Sequence, residues 1–233
     1  MALREDVRRF GLIPAVLAGI FRRLEQHCGL HLWSVQTRPI YPEFEMPHAH
    51  AERFTFRRLD LEDALVAARD PALLLREGAV RTAFARGDIC VGAYDGDRLV
   101  AYTWRTLSQA PVTDTVRIRL LRKSMRYGYK SLVLPPYRGM RLSHSVARFW
   151  DHNFLAMGVD HDVGYVALHN LASMRSTFRE PNRKRIGYAG YIQVGDRHWS
   201  FRTRGVRDYL AIEPADRDEA RGKGAYRSGS DGS

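Results

Sequence analysis

Two patterns of apolar and polar residues recur along the middle of the chain, and together they predict its elements. Phe54–Asp60 alternates as a strand does, and Leu61–Arg69 has the spacing of a short helix with Asp60 as its N-cap. Pro71 begins a second helix that ends near Gly87. The later elements are predicted as strands 88–94 and 99–104, a strand ending near 134, helix 140–157, strand 164–169, helix 170–178, and strands 188–194 and 198–201.

This order of elements predicts a mixed α/β sheet in one domain that spans residues 53–210. Residues 1–52 precede it as an N-terminal helical extension and a proline-containing connection. Residues 211–233 are rich in charged and small residues, which predicts a disordered tail.

The N-terminal extension contains an amphipathic helix with arginines on its polar side. Phe10, Leu17, Phe21, Leu24 and Cys28 recur at helical spacing, and the apolar run that begins at Gly11 is too short to span a bilayer. A basic helix of this kind can lie on a membrane surface. We favour the alternative that its apolar face packs on the domain. Because no small-residue cleavage site follows the run, we expect a cytoplasmic protein.

The net charge of +11 predicts an anionic partner. Nucleic acid, an anionic membrane surface, a phosphorylated cofactor and an acidic carrier protein all satisfy it. The only two cysteines, Cys28 and Cys90, form no CxxC pair, which fits a reduced compartment. His48-Ala-His50 has no supporting cysteines or carboxylates, so no metal is predicted.

A strand runs into a helix through a short basic turn at Pro135–Gly139. The N–H groups of a helix's first turn have no intrahelical partners, and such a turn can therefore bind an anion. An ordinary strand-to-helix connection explains the same pattern.

The residues around this turn resemble the GNAT superfamily of acyl-CoA-dependent N-acyltransferases. Val133-Leu-Pro-Pro-Tyr-Arg-Gly139 matches the family pattern V-x-P-x-Y-R-G, and Asn170-Leu-Ala-Ser173 is similar to its N-x-x-A/S motif. The resemblance covers residues 54–202. It implies a mostly antiparallel central sheet with helices on both faces, and acetyl-CoA or a longer acyl-CoA as the acyl donor.

The resemblance also implies which residues form the site. The donor would be bound by the strand end, the turn and the second motif: Val133, Leu134, Arg138, Gly139, Met140, Arg141, Leu142, Ser143, Asn170 and Ser173. Tyr129 and His169 are the candidate catalytic residues: Tyr129 as a proton relay or a substrate-binding residue, and His169 as a base. Arg141 stands where the family usually has glycine, and Ser143 stands where the family has glycine or alanine. Thr177 stands where the family often has a tyrosine that protonates the leaving thiolate.

The resemblance therefore predicts an N-acyltransferase that moves an acyl group, most simply acetyl, from an acyl-CoA thioester to a primary amine. Two alternatives stay open. One is a transferase fed by an acidic acyl carrier protein, making N-acyl amino acids or envelope precursors. The other is a basic nucleic-acid-binding module, because basic runs at 117–130 and 179–185 are interleaved with or flanked by tyrosines.

Overall fold

The structure, a computed structural model, describes residues 2–42, 45–113, 115–178, 180, 182–195 and 197–215. Its helices are α1 Ala2–Phe10, α2 Leu12–Cys28, α3 His48–Arg53, α4 Leu61–Ala67, α5 Glu77–Ala85, α6 Leu142–Arg148, α7 Asp151–Ala156 and α8 Leu171–Phe178. Its strands are β1 Leu30–Pro39, β2 Thr55–Leu59, β3 Ile89–Asp95, β4 Arg98–Thr106, β5 Gln109–Pro111, β6 Val116–Leu120, β7 Met125–Val133, β8 His161–Ala167, β9 Lys184–Val194, β10 Arg197–Arg202 and β11 Leu210–Pro214.

Eight strands form the main sheet in the order β10-β9-β1-β8-β7-β4-β3-β2. Every neighbouring pair is antiparallel except β7 and β8, which run parallel because α6 and α7 carry the chain from one to the other. A second sheet has the order β11-β6-β5. The prediction of a mixed, mostly antiparallel α/β fold flanked by helices is confirmed.

The predicted elements between residues 54 and 106 are present with nearly the predicted ends. Asp60 caps α4 in a capping box with Asp63, in which each side chain accepts from the other residue's backbone N–H. The two-residue turn Gly96-Asp97 joins β3 to β4 as a hairpin. The predicted second helix instead begins as a 3₁₀ turn at Pro71–Leu73, and α5 starts only at Glu77.

The N-terminal extension supplies a strand that the sequence pattern did not predict. β1 lies between β8 and β9 in the middle of the main sheet, within residues 1–52 that were predicted to be a helical extension and a connection. Trp33 and Val35 face an apolar core, whereas the intervening Ser34 and Gln36 are buried on the opposite face. Because this opposite face is polar, the apolar pattern that marks a buried strand is interrupted.

The prediction that disorder begins at residue 211 is wrong for residues 211–214. β11 pairs with β6 from Leu210 to Pro214, and its Leu210 and Ile212 are buried. Residues 216–233 of the predicted tail lie outside the described residues. The small sheet covers one face of β1, β7 and β8, and the residues of this second core are Trp33, Val35, Val116, Ile118, Met125, Tyr127, Val163, Tyr191, Leu210 and Ile212, with others.

Candidate functional site

The parallel strands β7 and β8 separate after a short common ladder. Met125–Tyr127 pairs with His161–Val163, and no further pair joins the two strands within the part of the chain described. β7 stays paired with β4 as far as Val133, and β8 stays paired with β1 as far as Ala167. Alternate backbone groups of each strand beyond the ladder therefore point toward the other strand. An extended ligand can hydrogen-bond to such edges as an added strand does.

The turn predicted to bind an anion lies at the open end of this gap. The Leu134 N–H donates to the Val100 carbonyl oxygen at 2.9 Å, and a 3₁₀ turn follows at Pro135–Tyr137. Gly139 has φ of 83° and Arg141 has φ of 59°, so the chain is left-handed at both positions. The left-handed conformation of Arg141 explains why a glycine suits this position in the resembling family.

Helix α6 begins directly after the turn and fixes its orientation. Leu142 is buried in the larger apolar core, which α6 forms with β3, β4 and the helices packed on them, so it can offer a ligand only its backbone. Met140 also packs against this core, whereas Ser143 is exposed. Arg141 is the N-cap residue, and its side chain makes no capping hydrogen bond. The exposed Arg138 and Arg141 add positive charge beside the turn, which favours an anion there.

The second predicted motif follows the end of β8, at the same edge of the sheet as the turn after β7. The Asn170 side-chain oxygen accepts from the Ser173 N–H at 3.0 Å, so Asn170 caps α8. Asn170 would therefore contact a ligand through its side-chain nitrogen. Thr177 is half-buried on the same helix. The parallel pairing of β7 and β8 thus places both sequence motifs at the same edge of the main sheet.

Tyr129 lies at a β-bulge in β7. Trp104 pairs with Lys130 and Arg105 pairs with Gly128, which leaves Tyr129 as the extra residue. A bulge turns two successive side chains toward one side of the strand. Tyr129 and Lys130 accordingly line one open pocket, together with Leu75, Arg76, Ala79, Val80, Ala83, Arg86, Trp104 and Pro111.

The Tyr129 hydroxyl donates to Asp88 Oδ2 at 2.8 Å, and Arg86 donates to the same oxygen at 2.5 Å. Burial raises the pKa of the Asp88 carboxyl, against the opposing effect of Arg86. Burial and the nearby Arg76 lower the pKa of Lys130 from 10.5 to about 8. A buried carboxyl of raised pKa that is hydrogen-bonded to a phenol can accept a proton through that phenol.

His169 is held by α2 instead of facing this cavity. Its Nδ1 lies 2.9 Å from Glu25, and His31 lies 3.3 Å from the same carboxyl. Burial alone would raise the pKa of Glu25, but the hydrogen bonds from His169 and His31 outweigh it and lower the pKa from 4.5 to about 2. This contact joins α2 to the end of β8, and a catalytic role for His169 stays a prediction.

Most arginines of the two basic runs contact other residues of the chain. Arg117 and Arg119 contact Glu213, and Arg126 is fully buried against Asp151 and Asp162. In the second run Arg183 contacts Glu180 and Asp162, whereas Arg185 contacts Ser34 and Tyr188. Arg179 lies outside the described residues. These intramolecular contacts engage arginines that the sequence pattern predicted to bind an external anion.

Sequence reasoning missed Asp88 and the cavity beside it. Asp88 is a single acidic residue before a strand, and no motif distinguishes it. Its partner Tyr129 is brought to it by the bulge, which has no sequence signal of its own. Among the described residues, no group of three or more histidines, cysteines or carboxylates could hold a metal.

No family model and no curated protein matches the chain. The solved structures similar to it include GNAT-family proteins. One from Novosphingobium aromaticivorans is 12% identical over 80% of this chain and 66% of its own length, with a TM-score of 0.47. A GCN5-related N-acetyltransferase from Kribbella flavida is 11% identical over 82% and 66%, with a TM-score of 0.44.

A third similar structure is the PaiA N-acetyltransferase from Thermoplasma acidophilum in complex with coenzyme A. It is 11% identical over 70% of this chain and 99% of its own, with a TM-score of 0.37. The chain spans 66% of the length of each of the first two structures. Similarity at this level assigns no activity, and the function must be argued from the chain's own site.

Proposed function

We propose that this protein is an N-acyltransferase that moves an acyl group from an acyl-CoA thioester to a primary amine. The observation that carries the proposal is the gap between the parallel strands β7 and β8, with an arginine-flanked turn at its open end. The gap suits the extended arm of a thioester donor, and the turn suits its phosphates.

On the donor side, the backbone of Val133 and Leu134 ends the strand along which the arm would lie. Gly139–Ser143 would present backbone N–H groups to the pyrophosphate, with Arg138 and Arg141 as charged contacts. Asn170 and Ser173 lie at the end of β8, across the gap. Acetyl-CoA is the simplest donor, and the length of the acyl chain is for experiment to decide.

On the acceptor side, the amine would enter from the cavity beside Tyr129. An amine must lose its extra proton before it attacks the thioester carbonyl. The Tyr129 oxygen can take that proton as its own passes to Asp88, 2.8 Å away. The new N–C bond then forms, the C–S bond breaks, and the proton that the nitrogen loses on becoming an amide passes to the leaving thiolate. Tyr129 therefore keeps the relay role expected from the sequence, now with Asp88 as the base.

The proposal is tested by thermal unfolding of the full chain with CoA, acetyl-CoA and longer acyl-CoAs at low and high salt. A ligand at about 100 times its dissociation constant adds about 2.7 kcal/mol, or roughly 5–10 °C in a chain of this size. Arg138→Ala should lose most of this shift. Arg58→Ala removes an equally exposed arginine on β2 and should keep it.

Release of free CoA thiol in the presence of a panel of primary amines tests the reaction itself. Stabilisation by a CoA species with amine-dependent thiol release supports the proposal. No shift and no release with any CoA species overturns CoA dependence. Transfer of the acyl group from an acylated carrier protein, with no reaction of any CoA species, would establish the carrier-dependent alternative. Binding of nucleic acid that weakens steeply with salt, without acyl transfer, would overturn the enzyme.

A further inference from the structure

Helices α1 and α2 form a hairpin whose tip is apolar and exposed. Gly11, with φ of 91°, turns the chain between them. Five aliphatic side chains in the first half of α2 are between 42% and 73% exposed. They are Leu12, Ile13, Val16, Leu17 and Ile20. The residues of α2 that are buried are instead the small Ala15 and Ala18.

These five side chains share one side of α2. At about 100° per residue they cover an arc of roughly 140°, centred opposite the two buried alanines. The expectation that the apolar face of this helix packs on the domain is therefore wrong for its first half. A contiguous exposed apolar surface of this kind marks an interaction site.

Arginines border the apolar tip. Arg4, Arg8 and Arg9 on α1 are exposed, and so is Arg23, which lies on the apolar side of α2 one turn beyond Ile20. The acidic Asp6 faces Arg22 at 3.8 Å, and Glu25 faces His31 and His169. Over residues 2–23, five arginines stand against two acidic residues, Glu5 and Asp6, so this segment carries net positive charge.

The hairpin is too short to cross a bilayer. Helix α2 has 17 residues, and no helix in the described part of the chain is long and apolar enough to span a membrane. An amphipathic helix with arginines beside aliphatic residues instead lies in the plane of the lipid headgroups. Anionic lipid attracts the arginines while the acyl boundary takes the aliphatic side chains.

We propose that the apolar tip of this hairpin, Leu12–Ile20 with the bordering arginines, docks the protein on an anionic lipid bilayer. Glu25 joins the same helix to His169 at the end of β8, so docking would hold the β7–β8 gap near the membrane. The inference does not depend on the acyl-transfer proposal, because it rests on exposure and charge at another surface.

Two other occupants fit less well. Residues 216–233 of this chain are charged, glycine or serine apart from two alanines and one tyrosine, so they cannot cover an aliphatic surface. A symmetric second copy would bring identical arginine-bordered tips together, and like charges at an interface are unfavourable.

The test is co-sedimentation of the full chain with phosphatidylcholine vesicles, with and without phosphatidylglycerol, at low and high salt. The chain should bind only the anionic vesicles, and more weakly at high salt. Ile13→Ser with Leu17→Ser should weaken binding by about tenfold or more. The matched control, Val66→Ser with Val194→Ser, changes two similarly exposed aliphatic residues elsewhere and should bind as the parent does.

Arg4→Gln with Arg8→Gln should reduce binding and its salt dependence, whereas Arg58→Gln should change neither. Unfolding midpoints of all variants show that each is folded. Failure of the parent to bind anionic vesicles overturns the proposal. So does a dimer, measured by sedimentation equilibrium without lipid, that Ile13→Ser with Leu17→Ser converts to monomer while vesicle binding is unaffected.

Discussion

The hydroxyl of Tyr129 and the carboxyl of Asp88 meet only because a bulge turns Tyr129 out of the regular alternation of β7. If this pair carries the acceptor's proton, Tyr129→Phe should lower kcat by about 10²-fold while the cavity keeps its shape. Asp88→Asn should do the same. Initial rates of thiol release at saturating donor measure both.

The pH dependence separates a proton relay from a packing role. A base must be deprotonated, so the raised pKa of Asp88 places the acid limb of kcat/KM above the ordinary range of carboxyls. Asp88→Asn should remove that limb, and Asp97→Asn at an exposed turn should leave it in place. An unchanged profile in Asp88→Asn, with the rate merely scaled down, would contradict the relay.

How far single residues were predictable depends on whether their role is local. The turn at Pro135–Gly139 was predictable because proline, glycine and the following helix specify it within a few residues. The turn lies at the same edge of the sheet as Asn170, because β7 and β8, which precede the two motifs, run parallel. Asp88 was not predictable, because its role comes from Tyr129 across the sheet, 41 residues further along the chain.

At the level of strands, Gly128 gives Arg105 the space to reach the buried charges below the gap. A Cβ at Gly128 would lie 2.0 Å from Arg105 Nη1. Arg105 is buried, donates to Thr103 at 2.8 Å and lies 3.8 Å from Asp162, so it has little room to move. Gly128→Ala should therefore lower the free energy of unfolding by about 1–3 kcal/mol.

Urea unfolding at neutral pH measures this loss. Gly19→Ala is the matched control, since a Cβ at Gly19 of α2 meets nothing within 4 Å. It should raise the free energy of unfolding by about 0.5–1 kcal/mol, because alanine is the better helix former. Equal effects of the two substitutions would show that Gly128 is not selected by Arg105.

Strand β1 shows why elements can escape a sequence reading. Ser34, Gln36 and Arg38 occupy the positions that apolar residues fill in strands buried on both faces, so β1 has no continuous apolar run. The partners of Ser34 and Arg38, which are Arg185 and Asp151, come from distant parts of the chain. The β3–β4 hairpin was predicted because its signal is entirely local.

At the scale of the whole molecule, a buried network of charges lies where β7 and β8 are paired. Beyond this paired segment the two strands separate. Arg38 of β1, Arg105 of β4 and Arg126 of β7 surround Asp162 of β8. These arginines lower the pKa of Asp162 in spite of its burial. The network joins four strands where they are paired, and β7 and β8 separate beyond it. No local pattern in the sequence predicts such a network.

A second charged contact, from Glu25 of α2 to His169 and His31, lies just after the end of β8. The stability that this contact contributes should depend on pH. The pKa of Glu25 is 4.5 in its ordinary state and about 2 in the fold. Between these values the unfolded chain binds more protons, so stability rises with pH there. The contribution of Glu25 is fully present above about pH 4.5 and is lost as the pH falls toward 2.

Glu25→Gln should therefore be less stable than the parent at neutral pH, and the difference should shrink toward zero as the pH approaches 2. Urea unfolding of both proteins from pH 7 to pH 2 measures this difference. Asp162, whose pKa the neighbouring arginines also lower, adds a pH dependence of its own, but this is common to both proteins and cancels between them. A difference that stays constant across the range would show that the carboxyl contributes packing alone. α2 would then be joined to the end of β8 without the charge that the structure gives this contact.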